Sequence, residues 1–195
     1  MTITAQQISN SMGVLLLDTD ATRWTTAERL TWINNIRRQM AEKKPEIFGN
    51  GTEVTHTLTT GPKQRIITAN AYRIVSIDSN VTSGKAIRPT ARLPLDAFKP
   101  DWRNDTGVNV QNWFPDETDP LSFWVYPAST GDLKAHVHIT PADLVSLSDT
   151  ALPFDQYEPI LLNGCMYLAY SKEDEAGSAA KAQAYFQLFN TALGG

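Results

Sequence analysis

Pro153-Phe154-Asp155-Gln156-Tyr157-Glu158-Pro159 opens the C-terminal segment, Pro153 to Leu193, from which the rest of the chain is best read. Asp155 stands where a helix cap is expected, with Glu158 three residues on as the reciprocal acceptor. Pro159 falls among the first four helical residues, whose N–H groups lack a helical partner anyway. Tyr157, Leu161, Cys165, Leu168 and Ala169 then recur at helical spacing, with Gly164 among them. A glycine inside a helix costs about 1 kcal/mol relative to Ala, so Gly164 suggests close approach by another backbone. Ser171-Lys172-Glu173-Asp174-Glu175-Ala176 turns the chain into a second helix. That helix sets Ala182, Tyr185, Phe186, Phe189 and Leu193 on one face and stops at Gly194, a suitable left-handed terminator. The result is a helical hairpin that needs a partner.

The N-terminal end supplies one. Thr4 and Gln7 form a capping box, followed by Ile8, Met12, Leu15 and Leu16 until Asp18-Thr19-Asp20 interrupts. Thr25 and Glu28 make a second box, and Ala27, Leu30, Ile33, Ile36 and Met40 follow. Lys43 and Lys44 complement that helix's dipole, and Pro45 stops it. Between the two helical pairs lie about ninety residues of short β-prone runs broken by Gly, Pro, Asn and Asp. The candidate strands are 54–59, 65–68, 71–77, 86–90, 122–126 and 133–140. Leu133-Lys134-Ala135-His136-Val137-His138-Ile139-Thr140 alternates, so one face is buried and the other is wet or in an interface. The fold expected is α+β. Residues 1–50 and 146–195 form one four-helix bundle, and residues 51–145 form an inserted antiparallel β-sandwich or small barrel.

At 195 residues and 42% hydrophobic composition the chain can bury a sizeable core. A net charge of −4 with scattered Lys and Arg argues against a polyanion-binding surface. The single Cys165, on an apolar helix face, fits a reducing compartment. The start lacks a basic, apolar leader, and no run approaches the roughly 20 apolar residues of a membrane span. A soluble protein made in the cytoplasm, with no cofactor, is expected.

Few constellations point to chemistry. His136 and His138 share a strand face roughly 6.6 Å apart, but further metal ligands such as His56 or Asp143 are placed by no motif. A metal-dependent hydrolase therefore rests on two histidines alone. No Gly-x-Ser-x-Gly, phosphate-binding glycine loop or Cys-x-x-Cys occurs, so no enzyme is expected. Glu173-Asp174-Glu175 reads more simply as charge at a helix start than as a carboxylate site. Of five tryptophans, Trp32 and Trp124 read as packing residues. Trp102, beside Arg103, and Trp113, beside Phe114, stand in loop-like sequence. They are either inter-subunit anchors or plugs capping the β-domain's own core, and interfaces are enriched in Trp and Arg. With Tyr185 and Phe189 these residues form the candidate interface set. Stacking on sugar or single-stranded nucleic acid is a further reading that lacks a basic patch.

A succession of segments carries a family resemblance. It runs from Leu17-Asp18 to Arg23-Trp24-Thr25, then Leu30-x-Trp32-Ile33-Asn34-x-x-Arg37-Arg38 ending before Pro45-Glu46. Leu58-x-x-Gly61-x-x-Gln64, Leu95-Asp96 before Pro100-Asp101-Trp102-Arg103, and Phe123-x-Val125-Tyr126-Pro127 follow. Leu152-Pro153-Phe154-x-x-Tyr157-x-x-x-Leu161 and Ala169-Tyr170-Ser171-Lys172-Glu173-Asp174 complete it. In this order they resemble the head-to-tail adaptor (connector) proteins of tailed bacteriophages, the group that includes tail tubular protein A of T7-like phages. The resemblance implies a structural virion protein in the phage neck, assembled as a ring, usually of twelve copies, between portal and tail tube or nozzle. Genome DNA passes through the centre, and mild acidity suits a channel that must not grip phosphates. Some such proteins carry an extended C-terminal arm, whereas this sequence ends at Gly194-Gly195 directly after its helix. The alternatives are a carbohydrate- or receptor-binding tail accessory and a terminator or tail-completion protein.

Overall fold

A computed structural model describes residues 1–49, 51–172 and 178–194. The chain begins with β1 (Ile3–Thr4), α1 (Ala5–Leu15) and α2 (Thr26–Lys43). It continues through β2 (Thr52–Thr57), β3 (Lys63–Arg65), β4 (Ala71–Asn80), β5 (Arg88–Pro89) and α3 (Arg92–Phe98). Then come β6 (Asn112–Pro115), β7 (Ser122–Tyr126), β8 (Asp132–Ile139), β9 (Thr150–Leu152), α4 (Glu158–Ser171) and α5 (Ala179–Ala192). Two compact units result, Met1–Phe48 with Pro141–Gly195, and Gly49–Thr140.

In the helical unit both capping boxes form. Thr4 accepts from the Gln7 N–H and Gln7 from the Thr4 N–H, and Thr25 and Glu28 reciprocate in the same way. Each satisfies two donors that a helix start leaves orphaned. Ile8 and Met12 of α1, Ile33, Ile36 and Met40 of α2, and Leu161, Cys165 and Ala169 of α4 bury into one core. The four-helix bundle does not form. α5 lies chiefly along α4, with Tyr185 stacked on Tyr170 and Phe186 against Tyr167, and of its face only Ala182, Phe189 and the capping Leu193 are buried. Non-helical residues fill the room a fourth core helix would take. Ile3 of β1, Ile47 in the turn Pro45–Phe48, Leu144, and Ala151 and Leu152 of β9 all join the core.

Side chains of α2 hold that returning segment. The Asn34 amide donates to the Leu144 carbonyl (3.0 Å) and accepts the Leu144 N–H (2.8 Å). Arg37 donates to the carbonyls of Ala151 and Ala142, and Arg38 grips both carboxylate oxygens of Asp143. β1 pairs antiparallel with β9. Asp155 is not a cap: Asp155–Tyr157 forms a 3-10 turn, α4 starts at Glu158 with no side-chain cap, and the Asp155 carboxylate lies 3.3 Å from the N-terminal ammonium. Gly164 does permit close approach, but by a side chain. A Cβ there would fall 2.6 Å from Cγ2 of Ile36. Glu173-Asp174-Glu175 lies outside the described residues.

The second unit contains a three-stranded sheet, β2-β8-β4, and a four-stranded sheet, β3-β7-β6-β5. Ile74, Ile77, Leu133, Ala135 and Val137 from the first share a core with Trp113, Phe123 and Val125 from the second. The insertion is not purely antiparallel, because β5 runs parallel to β6 (Arg88↔Asn112, Pro89↔Trp113), with α3 in the crossover between them. Asn112–Pro115, expected as loop, is therefore a strand. It is short and carries Pro115 at its end, which hides the pattern that would have marked it.

Candidate interaction surface

Trp102, in the turn Trp102–Asn104, is fully buried in the β-rich unit. Its ring meets Phe114 edge-on at 5.5 Å and Trp124 at 5.9 Å, while Phe114 stacks on Trp124. The Arg103 guanidinium lies 4.5 Å above the Trp102 ring and 3.2 Å from Asp96. Trp102, Arg103 and Phe114 thus come together. Trp113 is apart from them, edge-on to Phe123 in the core shared by the two sheets. In the helical unit Phe189 is buried and Tyr185 is half-buried. Trp102, Trp113, Phe114 and Phe189 all fill the interior of their own subunit, and Arg103 and Tyr185 remain partly accessible.

The aromatic cluster supports α3, whose polarity is inverted. None of its residues is buried. At about 100° per residue, Leu93, Pro94, Ala97 and Phe98 fall within an arc of about 140°, and all four are exposed, Leu93 to 80% and Phe98 to 90%. The other side of the helix, Leu95, Asp96 and then Lys99, is the half-buried one. Asp96 fixes this orientation. It accepts the Trp102 indole N–H at 2.8 Å and pairs with Arg92 at 3.1 Å and with Arg103. The Trp102 N–H, together with Arg92 and Arg103, outweighs partial desolvation and holds the Asp96 carboxyl below the usual carboxylate range. Lys99, paired with Asp105 and bonded to the Tyr126 hydroxyl, pins the far end. Beside the start of α3 lies a cleft of about 380 Å³ lined in part by Ala91, Arg92, Phe114, Pro115 and Trp124.

The exposed side of α3 is thus apolar, and its half-buried side is held in place through Asp96 and Lys99. Leu93 and Phe98 were missed in the sequence because Leu93-Pro94-Leu95-Asp96-Ala97-Phe98 shows no periodicity over so short a length. The available signal was its apolar content between two turn-rich segments.

The histidines are engaged separately. His136 Nδ1 lies 2.6 Å from Asp78 Oδ2, His138 stacks on Tyr72 at 6.0 Å, and His56 lies edge-on to Phe123. Among the described residues no group of three or more His, Cys, Asp or Glu side chains could hold a metal ion. Cys165 is buried, and burial pushes its thiol well above the ordinary range, the opposite of an activated nucleophile. Among the described residues no helix is long and apolar enough to cross a membrane.

No curated protein matches the chain. A family model, that of the SU10 adaptor protein, matches residues 3–195, which takes in both units. The match carries no specific likeness to tail tubular protein A of T7-like phages. The chain belongs to the SU10 adaptor protein family, a family of structural phage adaptors.

Proposed function

We propose that the protein is a head-to-tail adaptor subunit that assembles into a ring, of twelve copies, between the portal and the tail tube or nozzle of a tailed phage. The observation that supports this most directly is the outward apolar face of α3, anchored through Asp96 to the buried Trp102. A cyclic ring uses head-to-tail contacts, in which one patch on each copy meets a different patch on the next. Leu93 and Phe98 supply such a patch, with Arg103 on its rim and Trp102 and Phe114 supporting it from within the unit, while Trp113 fills the core between the two sheets. The helical part, residues 1–50 and 146–195, faces the portal, with Tyr185 at the docking surface over Phe189, and the β-rich part meets neighbours and tail. DNA passes through the lumen without sequence-specific contacts, in keeping with a net charge of −4.

Mixing the purified chain with portal rings of its own phage and imaging the product by electron microscopy tests this reading. Portal rings capped by a second ring, with twelve-fold averages, are the expected outcome. Undecorated portals, or capping by subunits that never touch one another, would overturn it.

A further inference from the structure

We infer that the free edge of β2 is a self-pairing site through which two copies of this chain join before assembly. In the three-stranded sheet β2 and β4 are the edges. The chain covers β4 itself. Ile74 donates to the Pro120 carbonyl, Asn80 to Lys85 and Ile87 to Asp78, and Ser79 bridges to Ala86. The β4 register is also broken by bulges at Ala71/Arg73, Ile74/Ser76 and Ile77/Ser79, a common means of blunting an edge.

Among the described residues, β2 has neither such cover nor such bulges. It pairs with β8 without a break from Thr52↔Val137 to Thr57↔Asp132. Its sequence, Thr52-Glu53-Val54-Thr55-His56-Thr57, holds no Pro, Lys or Gly and is rich in β-branched residues. The Leu58 N–H donates to the Gly131 carbonyl. By the alternation of an antiparallel ladder, residues 54 and 56 therefore also bond toward β8, and the backbone groups of Glu53, Thr55 and Thr57 point outward. The side chains of these three residues are exposed, whereas Val54 and His56 are half-buried.

The occupant is a second β2, because the strand complements itself. A two-fold axis through Thr55 sets Thr55 opposite its mate and Glu53 opposite Thr57 of the other copy. Every outward N–H and C=O then finds a partner, giving about six backbone hydrogen bonds. No like charges meet, and Thr opposite Thr is a favourable cross-strand pair. Such a pair is closed and cannot propagate, unlike the contacts of a cyclic ring. It belongs to the free protein, and it does not rest on the ring reading.

Light scattering on the full chain at micromolar concentration should give twice the 21.6 kDa subunit mass. Thr55→Pro removes an N–H that β8 does not use, so the variant should keep its circular dichroism spectrum and halve the mass. Thr55→Lys sets two cations face to face and should do the same. Thr55→Cys should form a disulfide-linked dimer on mild oxidation, since directly opposed residues of a hydrogen-bonded pair lie about 5.5 Å apart. Glu53→Cys alone should not, but should cross-link when mixed with Thr57→Cys. A monomeric wild type, a dimer that survives both Thr55→Pro and Thr55→Lys, or cross-linking of Glu53→Cys with itself would overturn the inference. The last of these would point to a different register or to strand addition by another segment.

Discussion

Arg29 and Asp18 lie 2.8 Å apart with side chains 2% and 6% exposed, an ion pair sealed inside the helical unit. The Asp18 carboxylate also accepts the N–H groups of Thr22, Arg23 and Trp24 and the Thr22 hydroxyl. Arg29 donates in addition to the carbonyls of Trp24, Ser9 and Asp18. The pair thereby joins α1, the connecting turn and the start of α2, and holds Leu17 and Ala21 in left-handed backbone conformations at φ of 54° and 52°. Removing one partner leaves the other charged and buried. Arg29→Met or Asp18→Asn should therefore each cost about 3–5 kcal/mol, and the double variant less than the sum. Urea unfolding of the single and double variants measures this directly.

The same carboxylate sets an acid dependence. Burial opposes its charge, but the N–H groups of Trp24 and Arg23, the Thr22 hydroxyl and Arg29 prevail and hold Asp18 well below the usual carboxylate range. A group with a depressed folded pKa contributes stability above its unfolded pKa, about 3.9, and loses it as pH falls toward the folded value. Stability should thus be flat in this respect near neutrality and decline below about pH 4. Asp18→Asn should show a shallower slope in that window when stability is plotted against pH.

Gly164 of α4 lies directly against the Ile36 side chain of α2. Ala is the better helix former by about 1 kcal/mol, yet its Cβ would sit 2.6 Å from Ile36 Cγ2 and 3.0 Å from Cδ1. Ile36 is β-branched and fully buried, so it has little freedom to yield. Gly164→Ala should destabilise by about 1–3 kcal/mol. In an Ile36→Ala background the same substitution should become neutral or stabilising, as a thermal-melt double-mutant cycle would reveal.

The readable parts of the sequence were those that local chemistry decides. The boxes Thr4 with Gln7 and Thr25 with Glu28 form because each satisfies backbone donors within one turn. Asp155 carries a similar signature but falls into a 3-10 turn beside the N-terminal ammonium, a partner more than a hundred positions away. The helical stripes were visible, but their mutual arrangement was not, because β1 and β9 exist only through pairing with each other and take up core positions. Trp102 and Arg103 stand out in sequence as candidates. Whether an aromatic is buried or displayed depends on Phe114 and Trp124 reaching it from later strands, which no local pattern records.

Cys165 should be inert in the folded protein. It is 0% exposed, and burial raises its thiol pKa, so neither access nor thiolate is available. Reaction with a thiol reagent should proceed only through unfolding, at least about 10³-fold more slowly than in denaturant. Timed labelling with and without urea would detect this, and rapid stoichiometric labelling of the native chain would contradict the burial.

The α3 face should separate stability from assembly. Leu93 and Phe98 are 80% and 90% exposed, so Leu93→Ser with Phe98→Ser removes little buried contact and should shift stability by no more than about 0.5 kcal/mol per site. If these side chains are seated against a neighbouring copy, the double variant should fail to form rings on the portal while keeping its fold and melting temperature. Trp102→Ala should behave oppositely, costing about 3–5 kcal/mol through the cavity it leaves between Phe114 and Trp124. Its assembly defect should then follow its unfolding and recede at lower temperature. Rings of normal appearance from the Leu93→Ser and Phe98→Ser double variant would remove α3 from the interface.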